Sequence, residues 1–434
     1  MLEATATECE LREVVHRSYP SDRTVTVRCT VRPAEGTAQA DGYGTATTEA
    51  VARAKALSEA VERLVACTPF ATVARPPTTP APGSGSGPVP PFPAAGVRTA
   101  PDGCASREYR PLSGDGPRRV PLYWSSPWVA GEELRAGTLS AAEARLSSTV
   151  GWAVAPTPEA ALRGALLELT ELIDYGVFLH RRLAGPARPR SAGDETLVVP
   201  LGGAVRTPTV LAVAYGRGRL MPATGLGCGA SRAEATDRAL LELAQAETMW
   251  RSNPTAEPAE RFFLRRFERW PLLTRCATLD FELSDLSGLD GLSGLDGLSR
   301  LDGLSRLDHP SDLNDPAGRP APYDDGPHPA SPLEELEAGG ITVWADSGAV
   351  DISGPDIPRT RLCFAHVVSD PQPLLGLVRA GIPVFDTGEV RRTLDPSRRD
   401  AHRDTPRGAP RDAARDRSAD RGPAGRGRQG RRSA

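Results

Sequence analysis

Three sets of polar side chains are spaced so that a helix would bring each set onto one face. Lys55, Glu59 and Glu62 fall within about 60° of arc at helical rotation, opposite an apolar stripe of Leu57, Val61, Leu64 and Val65. Lys55 is the only lysine in 434 residues. Glu168 and Glu171 fill the one polar gap of a stretch in which Leu162, Leu166, Leu169, Ile173 and Phe178 cover nearly every other direction. A helix this apolar is buried on most sides. Two carboxylates on it repel and lose hydration unless something cationic lies between them. A metal ion is the economical answer, and an open edge where both acids meet water is the other. Arg238, Glu242 and Gln245 again share about 60° of arc, opposite Leu240, Leu243 and Ala244. An Arg and a Glu four apart also suit a solvated surface pair, so this third set is informative mainly beside the other two.

The elements that must position these faces recur as strand, glycine turn and helix. Residues 24–31 alternate Thr with apolar residues and read as a strand feeding a turn at Gly42, Tyr43 and Gly44, then a helix over 47–66. Residues 197–201 and 208–215 are apolar runs short enough to be buried strands. They lead to a turn at Gly225, Gly227 and Gly229. Ser231 then stands as N-cap with Glu234 three residues on, the capping-box spacing, so a helix starts near Arg232. The middle helix spans 157–179. Other expected elements are a short helical start before residue 24 and strands at 120–124, 340–346, 361–368 and 381–386, with a short helix at 334–337. His366 reads as a structural residue at a strand end.

With the three helices in view, the chain resembles the YcaO family, whose helical signatures run close to SxxxExxER, ExxE and RxxxExxQ. Glu59, Glu62 and Arg63 match the first, Glu168 and Glu171 the second, and Arg238, Glu242 and Gln245 the third. The resemblance covers roughly residues 25–395, with interruptions. It implies an α+β, YcaO-like fold with its strand-turn-helix units around a nucleotide cleft. It further implies ATP and Mg²⁺ as cofactors, with Glu59, Glu62, Glu168, Glu171 and Glu242 holding metal. Lys55, Arg238 and Gln245 would contact phosphate or nucleotide. The implied activity is ATP-dependent modification of a precursor peptide's backbone, by cyclodehydration to an azoline or by thioamidation. The implied partners are the peptide and a leader-binding or activating protein, and a homodimer is compatible. Three positions depart from the family pattern. Lys55 stands where Ser is usual, Thr149-Val150-Gly151 replaces Ser-Asn-Gly, and Gly164 stands four before Glu168 where a polar residue is common. Lys55 either contacts phosphate directly or neutralises the acids in place of metal. A nucleotide-binding or scaffolding subunit without turnover is the alternative these departures raise.

Composition bounds the rest. Gly and Pro number 43 and 42, about a fifth of the chain, and they concentrate in blocks. Residues 69–104 read as a Pro/Gly-rich linker and 283–332 as a low-complexity insertion built on a Leu-Ser-Gly-Leu-Asp-Gly repeat. Residues 397–434 read as a disordered Arg-rich tail. The YcaO-like parts are then 1–68, 105–282 and 333–396. Net charge is −3 and argues against a nucleic-acid partner. The 7 cysteines form no CxxC pair, suggesting neither a zinc site nor a disulfide framework. No apolar run is long enough to cross a membrane, and a cytoplasmic protein is expected.

Overall fold

A computed structural model describes residues 6–78, 103–112, 116–144, 147–183, 196–201, 207–216, 219–267, 271–280, 331–355 and 357–370. The chain opens with β1 (Thr7–Pro20), β2 (Val25–Pro33) and β3 (Ala40–Ala46), over which α1 (Glu49–Cys67) returns. Next come α2 (Phe70–Ala74), β4 (Ser106–Pro111), β5 (Arg118–Pro121), a 3-10 turn at Leu122–Trp124, α3 (Pro127–Arg135) and α4 (Ala141–Ala144). β6 (Trp152–Ala155) feeds the long α5 (Pro158–Leu183). Three strands and a helix follow once more: β7 (Thr196–Leu201), β8 (Thr209–Ala214), β9 (Ala223–Cys228) and α6 (Arg232–Ser252). α7 (Ala256–Arg266), α8 (Pro271–Thr278), α9 (Pro332–Ala338), β10 (Thr342–Gly354) and β11 (Ile357–Asp370) complete the described elements.

The larger sheet has the order β3-β2-β1-β10-β11-β6, with β4 pairing to β10 and β5 to β4. β1 runs parallel to β10 through residues 7–10 and antiparallel to β2 beyond its bulge at Leu11 and Glu13. The second sheet is the antiparallel β7-β8-β9. The architecture is the mixed α+β one expected, and the three strand-to-helix passages are β3 to α1, β6 to α5 and β9 to α6. No described helix is long and apolar enough to cross a membrane.

Several local expectations are corrected. The short helical start is β1, because Cys9 and Leu11 alternate into the core and β2 and β10 supply ladder partners that only the tertiary fold brings near. The two glycine turns are strand interior: Gly42 and Gly44 lie within β3, Gly225 and Gly227 within β9. Each glycine is there for closeness, since a Cβ on Gly44 would stand 2.3 Å from Ala52 O and one on Gly227 2.2 Å from Ala235 O. The strand expected at 120–124 stops at Pro121, and Leu122–Trp124 coil into the 3-10 turn. His366 sits mid-strand in β11 rather than at an end. The strand expected at 381–386, the hexapeptide repeat and the Arg-rich tail lie outside the described residues.

Residues 70–78, read as the start of a linker, instead deliver α2 and Arg75 to the core. Arg75 is fully buried, donating to Asp346 Oδ2 at 2.8 Å, Ser125 Oγ at 2.9 Å and the Tyr109 hydroxyl at 2.6 Å. With its hydroxyl oxygen accepting from Arg75, Tyr109 donates to His366 Nδ1 at 2.6 Å, and His366 Nε2 donates to Val150 O at 3.1 Å. Burial, with the Arg75 charge nearby, pushes the His366 pKa well below its ordinary value and keeps the ring neutral. Val367 N donates to Gly151 O at 2.9 Å, and Gly151 takes φ +81° at a place where a Cβ would meet Val367 O at 2.5 Å. This polar hub thereby fixes the Val150–Gly151 passage just before β6 and α5.

Candidate functional site

α1 forms because Ala, Leu, Val and Glu dominate residues 49–67, and its Ala52, Ala56, Ala60, Val61, Leu64 and Val65 are buried. The small residues at 52, 56 and 60 let the helix settle on β3, whose glycines leave no side chain in the way. β3 is an edge strand, and Glu59 uses its unpaired backbone: Tyr43 N donates to Glu59 Oε2 at 2.9 Å. Arg63 Nη2 donates to Glu59 Oε1 at 3.3 Å, while Arg63 Nε is buried with no hydrogen-bond partner. Lys55 Nζ donates to Thr45 O at 3.3 Å and is open to solvent.

α6 begins at the Ser231 cap, whose hydroxyl accepts from Glu234 N at 3.1 Å. Glu234 reaches past the cap residue to accept from Ala230 N at 2.9 Å, so the expected capping box is closed one residue further back. Arg238 pairs with Glu234 at 3.3 Å rather than with Glu242, which is exposed. Gln245 Oε1 accepts from Thr45 Oγ1 at 3.3 Å, and Thr26 Oγ1 lies 3.5 Å from Thr248 Oγ1. Those two contacts seat α6 against β2 and β3. α5 lies between, with Ala161, Ala165, Leu166, Leu169 and Ile173 packed on β10 and β11. On its polar side Glu171 Oε1 accepts from Cys228 N at 2.8 Å, on the edge strand β9.

The acids of the three helices act on one another. Burial, then the Glu62 and Glu171 charges, pushes the Glu168 pKa well above the carboxylate range. Burial and Glu59 push Glu62 up to about 8, against the pull of Arg63. Burial and Glu242 push Glu171 up to about 7, and burial and Glu59 do the same for Glu242. Lys55 is shifted down by burial, then up by Glu242 and down again by Arg238. Lys55, Arg238 and Glu242 are nevertheless exposed, so these groups are not sealed inside a core. Seven of the eight expected site residues therefore share one electrostatic neighbourhood, and Gln245 stands beside it through Thr45.

These groups fit a hard cation and its phosphates. Carboxylates held partly desolvated by one another gain most from a divalent charge, and Arg63 Nε is a donor awaiting an acceptor. Among the described residues no three such groups form a ready-made metal cage. Mg²⁺ is usually held by one or two carboxylates and completed by phosphate oxygens and water. Gly164, read as a lost polar position, does not face the acids: a Cβ there would stand 2.9 Å from Ala153 Cβ on β6. Its role is close helix-on-strand packing. Sequence reasoning missed Thr45, which serves both Lys55 and Gln245, and the two edge-strand amides. Main-chain groups carry no sequence signal, and Thr45 directly follows the stretch read as a glycine turn.

The family model described as YcaO cyclodehydratase, ATP- and Mg²⁺-binding, matches residues 43–286. The fold is similar to the structure of YcaO from Methanopyrus kandleri bound with AMPPCP and Mg²⁺, at 19% identity and a TM-score of 0.52, covering 87% of this chain and 90% of that one. An E. coli microcin synthetase McbBCD complex is matched at 10% identity and 0.46, covering 88% of this chain and 95% of that one. A heterocyclase in complex with substrate and cofactor is matched at 16% and 0.46, covering 83% and 50%. The search of curated proteins returned no match. Because that family model matches more than half of the chain, the chain belongs to the YcaO family, described as ATP- and Mg²⁺-binding.

Proposed function

We propose that this chain uses ATP and Mg²⁺ to modify the backbone of a ribosomally made precursor peptide. The observation that carries the reading is that Glu59, Glu62, Glu168, Glu171 and Glu242 from three helices lie within electrostatic reach of one another, with burial and neighbouring acids raising the last four, and with Lys55 and Arg238 on the flanking helices. In the role assignment, Glu59, Glu62, Glu168, Glu171 and Glu242 hold metal, and Arg238 and Gln245 orient the phosphates. Bound Mg²⁺–ATP would supply the phosphoryl group that turns a peptide amide oxygen into a leaving group. The chain's own contribution is placement. α1 and α6 offer donors and carboxylates from two walls, while α5 keeps two acids on the floor that are costly to leave uncompensated.

The finer product, an azoline ring or a thioamide, follows from which nucleophile reaches the activated carbonyl carbon. A Cys, Ser or Thr side chain of the peptide gives the ring with net loss of water; an external sulfide gives exchange of oxygen for sulfur. The peptide is expected to arrive with a leader-binding or activating partner protein. Incubating the purified chain with ATP, Mg²⁺ and precursor candidates encoded beside its gene, then weighing the peptide by mass spectrometry, tests the reading. Loss of water or the oxygen-to-sulfur mass change supports it. ATP binding without any peptide modification, with and without the partner, would instead favour the scaffolding alternative that Lys55 and Val150 motivate.

A further inference from the structure

β3 with α1 and β9 with α6 are one construction built twice. Gly42, Gly44 and Thr48 stand 183 positions before Gly225, Gly227 and Ser231, and the same offset carries Glu59 to Glu242 and Glu62 to Gln245. The correspondence holds atom by atom. A Cβ on Gly42 would meet Ala60 N at 2.2 Å, Ala56 O at 2.3 Å and Glu59 C at 2.7 Å. One on Gly225 would meet the counterpart atoms, Leu243 N at 2.3 Å, Ala239 O at 2.0 Å and Glu242 C at 2.9 Å. Strand pairing repeats as well, since Thr26 opposes Thr45 in β2 and β3 as Thr209 opposes Cys228 in β8 and β9. Under this offset Lys55 falls on Arg238. A Cβ on Gly44 would also meet Lys55 Cβ at 2.6 Å, and one on Gly227 would meet Arg238 Cβ at 2.8 Å.

The repeat decides between the two roles left open for Lys55. A lysine that neutralised its own helix would pair with Glu59 or Glu62. Among the described residues Lys55 has no ion pair within 4.0 Å, and its Nζ donates only to Thr45 O. Its attraction is to Glu242, on the other repeat unit. Glu59 is meanwhile satisfied by Tyr43 N and Arg63. Resting on the nucleotide reading above, we propose that Lys55 is the internal counterpart of Arg238 and that the two cations hold a polyphosphate chain from opposite walls of the cleft. An arginine can fork onto two phosphate oxygens while a lysine acts as a point charge, so the two walls are alike in charge and different in geometry.

Calorimetric titration of the full chain with Mg²⁺–ATP, and separately with Mg²⁺ and inorganic triphosphate, tests this through affinity alone. Lys55→Met is expected to weaken both ligands about tenfold or more, the effect of one charge-assisted contact. Arg238→Met is expected to do the same, and Lys55→Arg to stay near wild type. Because Lys55 is open to solvent, Lys55→Met should melt with the wild type, and Lys55→Arg provides the charge-conserving check. Wild-type affinity in Lys55→Met beside weakened Arg238→Met, or tighter Mg²⁺–ATP binding by Lys55→Met, overturns the clamp and leaves the nucleotide reading standing. Failure of the wild type to bind either ligand removes the nucleotide reading and the clamp together.

Discussion

Glu168 occupies the most apolar helix of the site and feels three other carboxylates, Glu62, Glu171 and Glu242, so its protonation ties the site to the stability of the fold. A carboxyl whose folded pKa is raised contributes stability that is present below the unfolded value and is lost as pH rises through the folded one. For these acids the window runs from the ordinary 4.5 to about 8 at Glu62 and about 7 at Glu171 and Glu242. Glu168→Gln and Glu242→Gln are therefore expected to match or exceed wild type in apo stability, with the advantage growing as pH rises across that window. Both should lose Mg²⁺-dependent ATP binding. Melting curves from pH 4.5 to 8 and calorimetry check the two halves separately, and wild-type ATP affinity in both variants would sink the metal assignment. The acids themselves were legible in the sequence, because helical spacing shows which side chains share a face. Their mutual pressure was not, since it depends on how near three separate helices come.

At the scale of elements, the glycines of β3 and β9 set how closely α1 and α6 approach, and hence where Lys55, Glu59, Arg238 and Glu242 emerge. Gly44→Ala and Gly227→Ala each place a Cβ against helix backbone at 2.2–2.3 Å, so the helix must move. Each is expected to cost about 1–3 kcal/mol by denaturant titration, the usual range for overpacking, and to weaken ATP binding beyond that loss. Gly131→Ala in α3 is the contrast. The nearest atom to its new Cβ would be Arg135 Nη2 at 4.0 Å, and a helical Gly→Ala change there should stabilise by about 0.5–1 kcal/mol. The glycine pairs were visible in the sequence yet pointed to turns, because a φ requirement and a close approach select the same residue. The three helices of the site were read nearly to their ends while α2, α3, α4, α7 and α8 were not read, and β1 depended on a partner strand more than 300 residues away.

Across the whole molecule, Asp346 on β10 binds Arg75 from beyond α1 and Arg107 from β4, tying three separate stretches of chain to one carboxylate. Asp346→Asn leaves the Arg75 guanidinium buried without its counter-charge, and a loss of about 3–5 kcal/mol is expected in equilibrium unfolding. His366 completes the same hub. Its depressed pKa means that the unfolded chain takes up a proton the folded one resists, so its contribution is lost as pH falls below 6.5. His366→Gln is expected to flatten the decline in melting temperature between pH 6.5 and 5 relative to wild type; an unchanged slope would show that another group governs the acid limb. The sequence by itself determined the three polar helix faces and the strands β2, β7 and β8, because periodicity and capping are properties of neighbouring residues, while the mixed α+β class was what the family resemblance implied. Only the tertiary structure decided that Arg75 belongs to the core, that Gly164 packs rather than binds, and that Lys55 lies within electrostatic reach of Glu242. Those outcomes depend on distances between segments far apart in the chain, and desolvation and charge act through those distances alone.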